Sequence, residues 1–144
     1  GMGIVVVDSA IEALQRLAAH HRREFKGRVV AITGSNGKTI VKEWASRSMP
    51  DTVRSFASPK SYNSQLGVAL SLLMLDGQEE VAFIEAGISE PGEMERLEAM
   101  IRPDIVVVTC PYMSSQTFRR RKDWQSRMNL QFPLYSSLSA SACI

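Results

Sequence analysis

Apolar and polar positions recur with two periods along this chain, and the first clear pattern is that of an amphipathic helix. Its apolar residues stand at helical spacing among charged and polar ones. They are Ile11, Leu14, Leu17 and Ala18. Ser9 and Glu12 have the spacing of a capping box, and Gly27 is a stop signal. The pattern predicts a helix from about Ser9 to about Phe25, after a short β-branched run at residues 4–7.

Beyond Gly27, short β-branched and apolar runs alternate with further helical segments. The runs predict strands at residues 28–33, 51–56, 81–85 and 105–109. Helical spacing and stop signals predict helices at residues 38–48, 63–75 and 93–101, with loops at 57–62 and 87–92. Strands that alternate with helices are typical of a parallel sheet covered on both faces, so we predict an α/β fold.

Composition agrees with one globular domain. The 144 residues are 44% hydrophobic and 22% charged, and no apolar run approaches the roughly 20 residues that cross a bilayer. Cys110 and Cys143 are too few for a disulfide scaffold, and no leader pattern is visible, so we expect a cytoplasmic protein. The net charge of +2 is too small to indicate a nucleic-acid partner.

The last part of the chain differs in character. Residues 111–144 contain 7 of the 17 serines, none of the 9 glycines and a basic run at 119–122. That run is most simply a solvated face. We expect at most one helix here, near residues 122–130.

The most informative segment is Thr-Gly-Ser-Asn-Gly-Lys-Thr at residues 33–39, between a predicted strand and a predicted helix. Glycines let backbone N–H groups turn toward phosphate oxygens, and a helix N-terminus adds partial positive charge. Lys38 would bridge the β- and γ-phosphates, and the Thr39 hydroxyl would bind Mg²⁺. The first glycine of the usual P-loop spacing is absent, so a tight turn with a surface lysine is the alternative.

Two further sites are open to two readings each. Glu85 ends an apolar strand, where ligands bind in open α/β sheets, and would bind magnesium; otherwise it is a strand-end glutamate facing solvent. Residues 61–67 are polar and lead into a helix, so Asn63 and Ser64 either line a site or cap that helix.

The histidines and Cys110 give little support for other chemistry. His20 and His21 lie with Arg22 on the polar face of the first predicted helix, where solvation is the simplest reading. Cys110 has no nearby histidine in sequence and is better explained as a buried thiol than as a nucleophile.

Taken together, four motifs resemble one family. In order they are TGSNGKT, SYNSQLGV, IEAGISEPGEM and IRPDIVVVT, within residues 4–109. In this order and spacing they are similar to the central ATP-binding domain of the Mur ligases, and most similar to the subfamily that adds D-alanyl-D-alanine to UDP-N-acetylmuramoyl-tripeptide. The segment around Glu85 is especially like the form fused to an alanine racemase. The resemblance implies a P-loop-type three-layer sandwich with a mainly parallel sheet.

The resemblance also implies how the parts act. The sugar-tripeptide carboxylate attacks the γ-phosphate of ATP, and the amine of D-alanyl-D-alanine displaces phosphate from the acyl phosphate. The implied roles are phosphate binding by Gly34, Ser35, Asn36, Gly37 and Lys38, with Lys38 as the catalytic contact to the γ-phosphate; magnesium binding by Thr39 and Glu85; and cleft lining by Asn63 and Ser64. ATP and Mg²⁺ are the implied cofactors.

The resemblance divides the chain into three parts. Residues 1–25 correspond to the end of an N-terminal domain and its linker helix, and residues 26–110 to part of the ATP-binding central domain. Residues 111–144 match nothing in the family and lack its later metal-binding histidine and carbamylated lysine, as a shift of reading frame or a truncation would leave them. We expect such a fragment to bind Mg-ATP weakly if at all, and to show no ligase turnover alone.

Two alternatives stay open. A folylpolyglutamate synthase-like ligase shares the phosphate loop, although the EAGISEPG segment argues against it. The missing histidine and lysine favour a non-catalytic nucleotide-binding domain instead.

Overall fold

The structure, a computed structural model, describes residues 3–87 and 93–109. Four helices and four strands alternate along these residues. They are α1 (Ala10–Glu24), β1 (Arg28–Gly34), α2 (Lys38–Arg47), β2 (Ser55–Ala57), α3 (Gln65–Leu73), β3 (Val81–Glu85), α4 (Glu93–Ile101) and β4 (Ile105–Thr109). Cys110, the predicted 122–130 helix, the rest of the 111–144 segment and most of the predicted 87–92 loop lie outside the described residues.

The strands form one parallel sheet in the order β2-β3-β1-β4. Strand β1 is central and pairs with β3 on one side and β4 on the other. Val29 and Ala31 face a core shared with α1, α3 and α4, whereas Val30 and Ile32 face residues of α2. The sheet is therefore covered on both faces, and the predicted three-layer α/β fold is confirmed.

Two predicted elements have wrong bounds, a strand at its start and a helix at both ends. The strand predicted at 51–56 begins only at Ser55, because residues 50–53 form a turn in which Val53 N–H donates to the Pro50 carbonyl at 2.9 Å. The helix predicted at 63–75 spans Gln65–Leu73, since its cap is Ser64. No helix among residues 3–87 and 93–109 has the length and hydropathy to cross a membrane.

Helix α1 is joined to the sheet by a buried arginine, Arg22, which the amphipathic pattern places off the apolar face of the helix. Its guanidinium donates to the carbonyls of Ile101 and Arg102 at 2.8 and 2.9 Å and to Phe25 at 3.3 Å. It also pairs with Asp104 at 3.3 Å, and Asp104 accepts a bond from the N–H of Val29. The side chain thus caps the carbonyl end of α4 and joins it to β1.

Burial lowers the pKa of the Arg22 guanidinium, although the Asp104 carboxylate acts in the opposite direction and Arg102 adds to the lowering.

His21 is not simply solvated, because its Nε2 lies 2.8 Å from the carbonyl oxygen of Leu75. His20 is exposed, as predicted. Ala18 of α1 and Phe25, the residue directly after the helix, belong to the core of the sheet.

Candidate functional site

The polar side chains singled out in the sequence meet at the carboxyl edge of the sheet. Parallel strands end at the same edge, so the segments that follow β1 and β3 become neighbours. In the register of this pair, Ile32 lies opposite Glu85. Residues 34–37, the glycine segment that follows β1, therefore begin beside the Glu85 carboxylate that ends β3.

The glycine segment joins β1 to α2 without a side-chain cap. Gly37 occupies the cap position of α2 with φ +80° and, as a glycine, has no side chain to cap the first N–H groups of the helix. These groups have no partner within the helix and are the usual donors to phosphate oxygens. Ser35, Asn36 and Gly37 are exposed, so a ligand can approach this end of α2.

Strand β4 holds the glycine segment from the other side. The Thr109 hydroxyl lies 3.1 Å from the carbonyl oxygen of Thr33 and 2.6 Å from that of Asn36. Gly34 has φ +128°, and a Cβ there would lie 1.8 Å from the carbonyl oxygen of Thr109. The sequence assigned no role to Thr109; its position at the end of a neighbouring strand is the signal that points to this contact.

Lys38 and Thr39, the first residues of α2, project in different directions. The Lys38 ammonium donates to the Gly34 carbonyl at 2.7 Å, which folds its side chain across the glycine segment. The Thr39 hydroxyl donates to Glu85 Oε2 at 2.9 Å. Lys38 therefore lies beside the backbone N–H groups that could donate hydrogen bonds to phosphate, and Thr39 lies beside the candidate metal ligand Glu85.

Glu85 is almost fully enclosed and is not the solvent-facing glutamate of the alternative reading. Only 1% of its surface is exposed. Oε2 accepts the bond from Thr39, and Oε1 accepts one from the Asn63 amide at 3.0 Å. The structure thus brings together three predicted residues that lie far apart in the sequence.

Asn63 and Ser64 have different functions in the structure. Asn63 contacts Glu85, and its carbonyl accepts a bond from the N–H of Gly87 at 2.7 Å. The Ser64 hydroxyl accepts a bond from the N–H of Gly67 at 3.1 Å and caps α3. Capping therefore explains Ser64, whereas Asn63 belongs to the Glu85 cluster.

We expect Ser64→Ala to lower the free energy of unfolding by about 1 kcal/mol, because it removes the cap of α3. Urea denaturation followed by circular dichroism measures this loss. Ser64→Asp keeps a capping oxygen and is expected to retain most of the stability. If both variants were as stable as the parent chain, capping would not explain Ser64.

The sequence missed one residue of this cluster, Lys42. Its side chain has no exposed surface, and its ammonium lies 3.6 Å from Glu85 Oε2. It also donates to the backbone carbonyls of Ser58, at 2.7 Å, and of Lys60. Residues three and four apart share a helix face, so its spacing from Thr39 and Lys38 was the available signal.

The residues present fit a magnesium-bound nucleotide. The glycine segment offers backbone donors beside a lysine, and the Thr39 hydroxyl and Glu85 carboxylate are oxygen donors of the kind Mg²⁺ prefers. In the part of the chain that the structure describes, no group of three or more histidine, cysteine or acidic side chains could hold an ion.

Comparison with known proteins gives a family match over this region. The model of the Mur ligase middle domain matches residues 32–110. The UDP-N-acetylmuramoyl-tripeptide–D-alanyl-D-alanine ligase of Borreliella burgdorferi is 34% identical over 120 residues, which are 83% of this chain and 26% of the relative. The Bacillus subtilis ligase of the same name is 33% identical over 106 residues, or 74% of this chain and 23% of the relative. The chain thus spans about a quarter of the length of these relatives.

Two solved MurF structures also superpose on this chain. The MurF ligase from Thermotoga maritima, crystallised with ADP, superposes with a TM-score of 0.72 at 30% identity, over 88% of this chain and 30% of that one. MurF from Acinetobacter baumannii superposes with a TM-score of 0.69 at 28% identity, over 72% of this chain and 23% of that one.

Proposed function

The chain belongs to the Mur ligase family through its middle domain, and on that premise we propose that it is the nucleotide-binding part of an ATP-dependent ligase. The proposed ligase joins D-alanyl-D-alanine to UDP-N-acetylmuramoyl-tripeptide in peptidoglycan synthesis. The names of the relatives above favour these two substrates over those of a folylpolyglutamate synthase-like ligase. ATP and a UDP-linked precursor as substrates favour a cytoplasmic location.

One observation supports this proposal most: the Thr39–Glu85 hydrogen bond lies directly beside an uncapped, glycine-led helix N-terminus. A helix N-terminus alone binds many anions, and a hydroxyl–carboxylate pair alone occurs in many cores. Their combination supports a site in which hydrogen-bond donors to phosphate lie next to oxygen ligands for the cation that accompanies a nucleoside triphosphate.

We assign the residues as follows. Gly34, Ser35, Asn36 and Gly37 would surround the phosphates, Lys38 would contact the γ-phosphate, Thr39 and Glu85 would bind Mg²⁺, and Asn63 would line the cleft, next to the Ser64 cap of α3. Mg²⁺ would neutralise charge on the phosphates. Lys38 needs only to exchange its Gly34 carbonyl partner for a phosphate oxygen, and Asn63 orients the Glu85 carboxylate.

We expect Lys38→Ala to weaken the binding of Mg-ATP to the 144-residue chain by one to two decades. A hydrogen bond to a charged group contributes about 1.5–3 kcal/mol, which corresponds to roughly that change in Kd. A ¹H–¹⁵N NMR titration measures it, because chemical shifts report weak binding residue by residue.

The matched control is Lys26→Ala. Lys26 is exposed and precedes β1, whereas the glycine segment follows β1, so the control removes the same charge at the opposite end of the strand. Its affinity should equal that of the parent chain. Equal affinities for Lys38→Ala and the parent chain would remove the proposed phosphate site.

A further inference from the structure

Lys42 is the largest fully buried side chain that the structure describes, and it lies beneath the proposed nucleotide site. Burying an ammonium group is costly unless charge and hydrogen bonds compensate it. Lys42 has both kinds of compensation. The partners of its ammonium group therefore indicate its role.

The ammonium contacts two kinds of group. Its hydrogen bonds go to the carbonyls of Ser58 and Lys60, in the segment between β2 and α3. Two carboxylates lie at 3.6 Å, the buried Glu85 and the partly exposed Glu43, which also pairs with Arg47. One cation thus balances the buried charge of Glu85 and holds a stretch of backbone.

That stretch of backbone also holds Glu85. The N–H of Ser58 donates to the Phe83 carbonyl at 2.9 Å, and its hydroxyl accepts a bond from the N–H of Glu85 at 3.1 Å. Lys60 has φ +47°, an unfavourable conformation for a non-glycine residue, and its carbonyl is bonded to Lys42. Three residues later the same segment supplies Asn63, which bonds to the other carboxylate oxygen of Glu85.

We propose that Lys42 is a positioning residue for metal binding. It holds Glu85 and the 58–63 segment against α2, so that the carboxylate and the Thr39 hydroxyl are already aligned when a magnesium-bound nucleotide arrives. Lys42 contacts neither phosphate nor metal; it acts through Glu85. This inference rests on the proposed function, because it concerns the same nucleotide site.

The test compares ADP binding with and without Mg²⁺ in the parent chain and in Lys42→Met, which keeps the length of the side chain and removes its charge. Loss of a residue that orients a metal ligand typically lowers metal affinity by about 10–100-fold. The quantity compared is the factor by which Mg²⁺ raises the affinity for ADP. We expect this factor to be at least about tenfold smaller in Lys42→Met than in the parent chain, whereas the affinity for ADP without Mg²⁺ should stay the same. Lys26→Met, at an exposed position, should behave like the parent chain.

The outcomes separate the two hypotheses. A parent chain that binds no ADP would contradict the proposed function, and the positioning role with it. A parent chain that binds ADP, with the same gain from Mg²⁺ in Lys42→Met, would contradict the positioning role alone. Equal weakening of ADP binding with and without Mg²⁺ would also contradict it, because a purely structural role has that signature.

A second measurement tests the coupling of Lys42 to Glu85, on which the proposal depends, if Lys42→Met does not fold. Lys42→Met leaves the Glu85 carboxylate buried without its cation, and Lys42→Met/Glu85→Gln removes that unpaired charge. The double variant should therefore recover folding and show a cooperative urea transition, which the unfolded Lys42→Met lacks. A double variant no more stable than Lys42→Met would show that Lys42 does not act through Glu85 and would overturn the proposal.

Discussion

Replacing Gly34 with alanine is expected to lower the free energy of unfolding by about 2–6 kcal/mol. A strained backbone conformation costs about 1–3 kcal/mol, and overpacking a close-packed site costs about as much again. Both costs apply, because Gly34 has φ +128° and an added Cβ would lie 1.8 Å from the carbonyl oxygen of Thr109. Relief of that contact requires β1 and β4 to separate, which breaks the sheet beside the candidate site.

The matched control is Gly37→Ala. Gly37 also has a positive φ, +80°, but no atom lies within 4 Å of an added Cβ. Only the left-handed conformation is then penalised, which costs about 1–2 kcal/mol. Urea denaturation of both variants measures the difference, and equal losses would show that the Gly34–Thr109 contact does not constrain the sheet.

Replacing Arg22 with alanine is expected to cost about 3 kcal/mol. Removal of one member of a buried ion pair costs about 3–5 kcal/mol, and the lower end applies because Asp104 keeps 34% of its side-chain surface exposed. The substitution also leaves the carbonyls of Ile101, Arg102 and Phe25 without their guanidinium donor. We expect α1 to loosen from the sheet first.

Arg23→Ala provides the control at the next position of the same helix. Arg23 is exposed, so its loss should change the free energy of unfolding by no more than about 0.5 kcal/mol. Thermal denaturation of the pair, with hydrogen exchange on the amides of α1, measures both effects. Similar stabilities for the two variants would show that α1 is held by its apolar contacts alone.

The positions of most helices and strands could be predicted because each depends on local patterns. Helix α1 begins after the Ser9 cap, as predicted, and β3 and β4 have the predicted bounds. Strand β2 could not be placed this way. It is only three residues long, and its start depends on the 50–53 turn and on pairing with β3 rather than on its own apolar pattern.

Part of the candidate site was equally accessible. A glycine-rich segment between a strand and a helix is typical of a phosphate site, and a glutamate at the end of an apolar strand is typical of a ligand site. Gly34, Lys38, Thr39 and Glu85 could therefore be proposed from the sequence. Asn63 and Ser64 were proposed together, and only their contacts separate an amide bonded to Glu85 from a hydroxyl that caps α3.

The sequence by itself determined the order of the elements, the α/β class and the place of the segment that we propose binds phosphate, because these follow from periodicity and from residue types close together in the chain. Only the tertiary structure decided the functions of Arg22, Lys42 and Thr109. The partners that distinguish these residues from surface ones lie between 16 and 82 residues away in sequence, and a buried charge and a surface charge look the same in an amphipathic pattern. Whether a lysine on a helix is solvated or compensates a buried glutamate depends on which strand packs against that helix, and only the folded chain determines that.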